Sequence, residues 1–162
     1  MTAITLEQAN RIIEAILQRG AEMDCRPLSV VVVESGCVVK AFQKEDGSSM
    51  ARFEMAYGKA YAALSLGRSS SLIKTRQQEK PEFVRFLIAT SGDRLFAEGG
   101  GRLIRDKDGS VMGAVGVTGD TEENDEALAA HGIHAADLKI DEDCKGFDDA
   151  PGRGVHERKR AR

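Results

Sequence analysis

The stretch that most constrains the fold is GAVGVTGDTEENDEAL, residues 113–128. Gly113, Gly116 and Gly119 close a valine-rich run and lead into an acidic segment. The valines read as a buried strand. The acidic residues after Thr121 read as the first turn of a helix, where negative charge complements the helix dipole. A phosphate loop needs G-x-x-x-x-G-K-S/T or G-x-G-x-x-G between strand and helix, and neither pattern is present. A calcium loop needs acidic ligands spaced around a fixed glycine. GDTEENDE has the oxygens without that spacing. The expectation is that Gly113 and Gly116 face one side of the strand and admit close backbone approach. Gly119 then makes the turn, and Asp120 or Thr121 caps the helix. The alternative is a substrate anion held by the amides of that helix start, which makes Gly119 a candidate binding residue.

The rest of the chain supplies partners for this strand. Thr5 and Gln8 form a capping-box pattern before Leu6, Ala9, Ile12, Ile13, Ile16 and Leu17, which follow at helical spacing. LSVVVVES reads as a buried strand and CVVKAFQK as its hairpin partner across Gly36. After Asp46-Gly47 a long helix is expected over roughly 49–66, with Phe53, Ala56, Tyr57, Ala60, Ala63 and Leu64 on or near one face. Short helices are expected after Ser69 or Ser70 and from Pro81. DRLFAEGGGRLIRD reads as strand, glycine turn and strand, and DKDG as a hairpin turn. Hairpins dominate and no regular β-α-β alternation occurs. This predicts a single α+β domain over 1–138, an antiparallel sheet with helices on one or both faces. From Lys139 the chain is charged and poor in core residues, so 139–162 is expected as a mobile tail.

Bulk properties exclude several classes. A length of 162 residues suits one domain. A net charge of −3 implies no nucleic-acid field. Trp is absent and aromatics are 5%, which argues against a stacking platform for single strands. No apolar run approaches the ~18–20 residues of a membrane span, and the N-terminal residues show no secretory pattern. A cytoplasmic protein is expected. Cys25, Cys37 and Cys144 are odd in number and form no C-x-x-C pair, so neither a disulfide framework nor a cysteine zinc site is expected.

Several features together resemble the HbpS/GlcG family, also called the haem-degrading-domain family. They are the Asp46-Gly47 turn, A-x-x-K-A at Ala56, Lys59 and Ala60, the Gly-Gly turn, GAVGVTGD and the later Asp125. The resemblance covers about residues 4 to 138. It implies a profilin-like or PAS-like domain with a five-stranded antiparallel sheet, assembled as dimers and up to octamers. It also implies a choice of roles. Members include haem-binding and redox-sensing accessory proteins, domains attached to corrinoid enzymes, and a lineage similar to hydroxylaminobenzoate lyases. Glu34 and Glu98 depart from the family, which commonly has Asp and Pro at those points.

Haem in such a protein calls for an axial ligand such as His. His131, His134 and His156 all lie C-terminal, and a small apolar Cys37 in a strand is normally core. No cofactor is therefore expected, with haem as the alternative, and no metal site. The long helix carries the candidate chemistry: Arg52, Glu54, Tyr57, Lys59 and Tyr61. Arg52 and Lys59 are two turns apart and share a face, and Tyr57 and Tyr61 share another. A cation beside a tyrosine hydroxyl can hold a carboxylate and offer a proton; an ordinary amphipathic helix is the competing reading. Arg102 and Gly100 at the glycine turn are further binding candidates, and Arg68, Arg76, Arg94 and Arg105 are further cations for an anion clamp. The resulting expectation is a cofactor-independent lyase that takes a small anionic aromatic substrate, such as 4-hydroxylaminobenzoate, and releases ammonia. Arg52 or Lys59 would pair with the carboxylate, and Glu54, Tyr57 or Tyr61 would protonate the departing oxygen. Against it stand a haem- or corrinoid-binding module and a structural oligomer without a ligand.

Overall fold

The computed structural model describes residues 3–147. Its elements in order are α1 (Leu6–Glu22), β1 (Ser29–Glu34), β2 (Val38–Lys44), α2 (Arg52–Leu66), α3 (Ser70–Glu79), α4 (Pro81–Thr90), β3 (Gly101–Arg105), β4 (Val111–Thr118) and α5 (Glu122–Ala135). The four strands run β2-β1-β4-β3 and pair antiparallel throughout. No described helix is long and apolar enough to cross a membrane.

The local signals act as physical stops and starts. Thr5 Oγ1 accepts from the Gln8 amide and Gln8 returns the bond, so α1 begins with both orphan donors satisfied. Gly36 (φ +77°) and Cys37 (φ +59°) turn the β1–β2 hairpin. Gly67, also left-handed, ends α2.

The sheet divides the core into two unlike layers. On one face Val30, Val32, Val115 and Val117 pack against Ile12, Ile13 and Ile16 of α1 and Leu128 and Ile133 of α5. On the other, Val31, Val33, Leu103 and Ala114 meet Ala56, Ala60 and Ala63 of α2. There α2 lies almost on the backbone. Gly101 and Gly116 are cross-strand partners. A Cβ on Gly116 would stand 2.0 Å from the Ala56 carbonyl oxygen, and one on Gly101 2.1 Å from that of Lys59. Gly113 does not share this role. Residues three apart in a strand point to opposite faces, and Gly113 instead lies against the Val33 carbonyl of β1.

Two further expectations are corrected. The described sheet has four strands, not five, because 93–98 does not join it. Leu95 and Ala97 are buried with Ala62, Ile73 and Val84 in a cluster outside α2, and the Phe96 amide donates to the Gly58 carbonyl of that helix. The segment's apolar alternation is thus satisfied against helices. The first part of the expected tail, 139–147, is docked. Lys139 and Arg105 exchange both backbone bonds at 2.9 Å. The buried Arg105 guanidinium takes Asp141 at 2.6 Å, a charge that burial obliges it to find. Residues 148–162, including His156, lie outside the described residues.

Candidate functional site

Three aromatic side chains one helical turn apart, Phe53, Tyr57 and Tyr61, form a stripe along α2. The ring centroids are 5.8 Å apart for Phe53–Tyr57 and 6.1 Å for Tyr57–Tyr61. Phe42 of β2 meets Phe53 edge-on at 5.0 Å. Arg94, from the loop after α4, lays its guanidinium 4.9 Å from the Tyr61 centroid. The Tyr57 hydroxyl donates to the Cys37 carbonyl at 2.9 Å, which locks that ring in place. Burial pushes the Tyr57 phenol up from its ordinary range, with Cys37 adding to the rise and Arg94 opposing it. Burial also raises the Cys37 thiol, again against Arg94. The group is a partly exposed aromatic surface, a neutral phenol and a cation without a carboxylate partner among the described residues. Such a surface can stack a flat ligand, pair with its anionic group and offer one proton.

The other helix candidates face elsewhere. Arg52 and Lys59 do share a face, but it is the one turned to β4. Arg52 Nη1 donates to Thr118 Oγ1 at 2.8 Å. Lys59, 2% exposed, donates to the neighbouring Val117 carbonyl at 2.9 Å and pairs with Asp125 at 3.2 Å. Burial pushes the Asp125 carboxyl up and the Lys59 charge opposes it. Lys59 therefore neutralises a buried carboxylate and does not meet the tyrosines. Glu54 is exposed in the first turn of α2.

Carboxylates of α5 already occupy the glycine turn. The Gly99 amide donates to Glu122 at 2.7 Å and the Gly100 amide to Glu126 at 2.8 Å. Lys74 bridges Glu122 and Glu98, and these bonds hold its ammonium charged well above the usual range. Arg102 is held by Glu126 at 3.2 Å and Glu142 at 2.9 Å. At the start of α5, Thr121 takes the Asn124 amide and Asp125 the Asp120 amide. Gly119 (φ +138°) makes the turn against the Pro27 carbonyl. An incoming anion at Gly100 or Gly119 would compete with the protein's own carboxylates. His131 and His134 sit at the end of α5, across the sheet from α2, and His134 bonds Asp143 at 2.7 Å. Among the described residues no three His, Cys, Asp or Glu side chains are placed to share a metal ion.

Phe42 and Arg94 complete the aromatic face. The i, i+4, i+8 spacing of Phe53, Tyr57 and Tyr61 is visible in the sequence. Arg94 reaches Tyr61 only because the irregular 93–98 segment lies along α2.

The fold is a single-domain α+β sandwich that presents an aromatic helix edge beside Arg94, which donates to the Ser91 carbonyl at 2.7 Å and has no carboxylate partner among the described residues. The chain belongs to the family described as haem degrading protein HbpS-like, whose profile matches residues 4–134. It is 29% identical over 129 residues to a 15.0 kDa protein of the dhaT-dhaS intergenic region of Citrobacter freundii, covering 80% of this chain and 89% of that one. Among solved structures it is similar to Klebsiella pneumoniae ORFY, with 27% identity, a TM-score of 0.76 and coverage of 85% and 92%. The haem complex of PduOC shares the fold at 19% identity, TM-score 0.76 and coverage of 85% and 98%. A variant of Streptomyces reticuli HbpS does so at 24% identity, TM-score 0.71 and coverage of 83% and 87%.

Proposed function

We propose that the chain is a haem-binding accessory protein whose porphyrin docks on the α2 aromatic face. The observation that carries this reading is the run of Phe42, Phe53, Tyr57 and Tyr61 capped by Arg94. The family description and the haem complex of PduOC support it. The residues present fit the group. The rings offer a stacking surface to a flat macrocycle, and Arg94 a counter-charge to a propionate. Tyr61 carries an oxygen suited to iron, as tyrosine serves in some haem proteins, while the Tyr57 hydroxyl stays on the Cys37 carbonyl. Met50, 93% exposed one turn before Phe53, carries a thioether. Bound haem supplies a redox-active iron. Here the protein's part is to stack the ring, pair its carboxylate and keep water from the Tyr57–Cys37 bond.

A second reading has one observation of its own. Tyr57 is a phenol kept protonated by burial, in the field of Arg94. That pairing suits a lyase acting on a hydroxylamino-aromatic carboxylate. Arg94 would hold the carboxylate in the role first expected of Lys59, while Tyr57 protonates the leaving oxygen. The N–O bond breaks and one water leaves; a second water adds to the electrophilic ring and a third replaces the nitrogen at its carbon, so ammonia departs and a dihydroxybenzoate is left.

Haemin titration of the full chain separates the two. The expected result is a saturable Soret shift near one haem per chain, weakened about tenfold or more in Tyr61→Ala and Arg94→Ala, a loss of ~1.4 kcal/mol or more in binding. No saturable shift, together with ammonia release from 4-hydroxylaminobenzoate that Tyr57→Phe abolishes, would replace the haem reading with the lyase.

A further inference from the structure

α3 and α4 fold back on the C-terminal end of α2 and flank a partly open pocket of about 160 Å³. Leu66, Ile73, Val84 and Leu87 form its apolar wall and Phe83 its edge. Arg68 and Arg76 complete the lining. Both arginines are half-buried, and the Arg76 guanidinium stands 5.4 Å from the Phe83 centroid. Among the described residues no carboxylate lies within ion-pair distance of either. Glu82, one residue before Phe83, turns to Arg85 instead. Three other half-buried or buried arginines have polar side-chain partners: Arg102 holds Glu126 and Glu142, Arg105 holds Asp141, and Arg52 donates to Thr118. Two like charges at one partly desolvated cavity, with no counter-charge, carry a cost that a bound anion removes.

We infer that this cavity is a ligand site distinct from the α2 aromatic face, and that it takes a small monocarboxylate with a compact apolar body. The volume sets the size. An apolar protein cavity of about 150 Å³ accepts benzene, so the body is at most one six-membered ring. The wall has no polar side chain besides the two arginines, so the ring carries its charge at one end only. The carboxylate sits between Arg68 and Arg76, where planar guanidiniums match its two oxygens, and the ring displaces water from Leu66, Ile73 and Leu87. A porphyrin is too large for this cavity. The inference therefore stands apart from the haem reading.

Benzoate is the probe, with benzamide as its neutral isostere. The full chain is labelled at Ile, Leu and Val methyls and titrated by NMR. Benzoate is expected to shift the Leu66, Ile73 and Leu87 methyls saturably, and benzamide to bind at least tenfold more weakly. Arg68→Gln/Arg76→Gln should weaken benzoate tenfold or more while methyls of the α1–α5 layer keep their positions. Val84→Phe, which fills the cavity, should abolish the shifts without removing either charge. Arg94→Gln should leave benzoate binding unchanged. No saturable shift at those methyls, or equal binding of benzamide, would overturn the assignment. So would binding that survives the double arginine variant, or that is lost instead in Arg94→Gln, which would put benzoate on the aromatic face.

Discussion

The two faces of the sheet are built by opposite means. Toward α1 and α5, branched aliphatic side chains fill the space between helix and strand. Toward α2, glycines and alanines remove side chains so that backbone nearly meets backbone. The first arrangement gains stability from buried area. The second gains position: α2 is held too close to the sheet to rock, so the aromatic edge it presents is fixed. Counter-charges divide in a related way. Arg102 and Arg105, which anchor the segments flanking α5, are matched by carboxylates. Arg68, Arg76 and Arg94, around the outer side of α2, have none among the described residues. The first pair is closed by carboxylates, whereas Arg76 and Arg94 rest on the rings of Phe83 and Tyr61.

The sharpest way to break the comparison is to place a side chain where the α2 layer allows none. Gly116→Val puts a Cβ 2.0 Å from a backbone oxygen that cannot move without α2. The expected loss is more than ~4 kcal/mol, the range of the severest single substitutions. Ile13→Val, in the aliphatic layer, should cost only ~0.5–1.5 kcal/mol. Urea denaturation of both variants checks the contrast. Near-equal losses would show that α2 can lift off the sheet, and the idea of a fixed aromatic edge would fall.

A step smaller is the ion pair between the layers. Lys59 and Asp125 are 3% and 2% exposed in their side chains. Lys59→Met leaves a buried carboxylate alone and should cost ~3–5 kcal/mol, whereas Lys59→Met/Asp125→Leu should recover a large part of it. If Lys59→Met folds with little loss but abolishes ligand binding, Lys59 belongs to the site and not to the framework.

Much of the framework was legible in the sequence because it is local. The capping box of α1, the β1–β2 hairpin and the glycine that ends α2 are each set by a few neighbouring residues. Lys59 was legible in part: it falls in the inward stripe of Ala56, Ala60 and Ala63, so its burial follows from helical spacing. Its partner does not, since Asp125 is 66 residues away. The fifth strand was misread for a similar reason. Alternating Leu95 and Ala97 suits a strand, and only the tertiary fold shows that helices take those side chains. The tail was misread because composition marks 139–147 as polar, while the need to neutralise a buried Arg105 appears only once the sheet is closed. At the site, the ring spacing on α2 was readable, but the arrival of Arg94 from an irregular segment was not.

The smallest effect concerns how the α1–α5 side is tied at its rim, and it has a definite sign. Asp120 accepts from the Arg26 amide at 2.9 Å and from Asn124 Nδ2 at 2.7 Å, joining the loop before β1 to the start of α5. Those bonds, the Asn124 amide first, lower its carboxyl from 3.8 to about 2. A depressed carboxylate stabilises the fold above its unfolded value and loses that contribution as pH falls through the folded one. The loss should therefore fall between about pH 4 and pH 2 and amount to at most ~2 kcal/mol. Asp125, five residues on, opposes it: its raised carboxyl favours the folded state as pH falls. Asp120→Asn should lower stability at pH 6 and flatten the acid limb, as measured by thermal melts across that range. An acid limb as steep as the parent's would mean that Asp120 ties nothing.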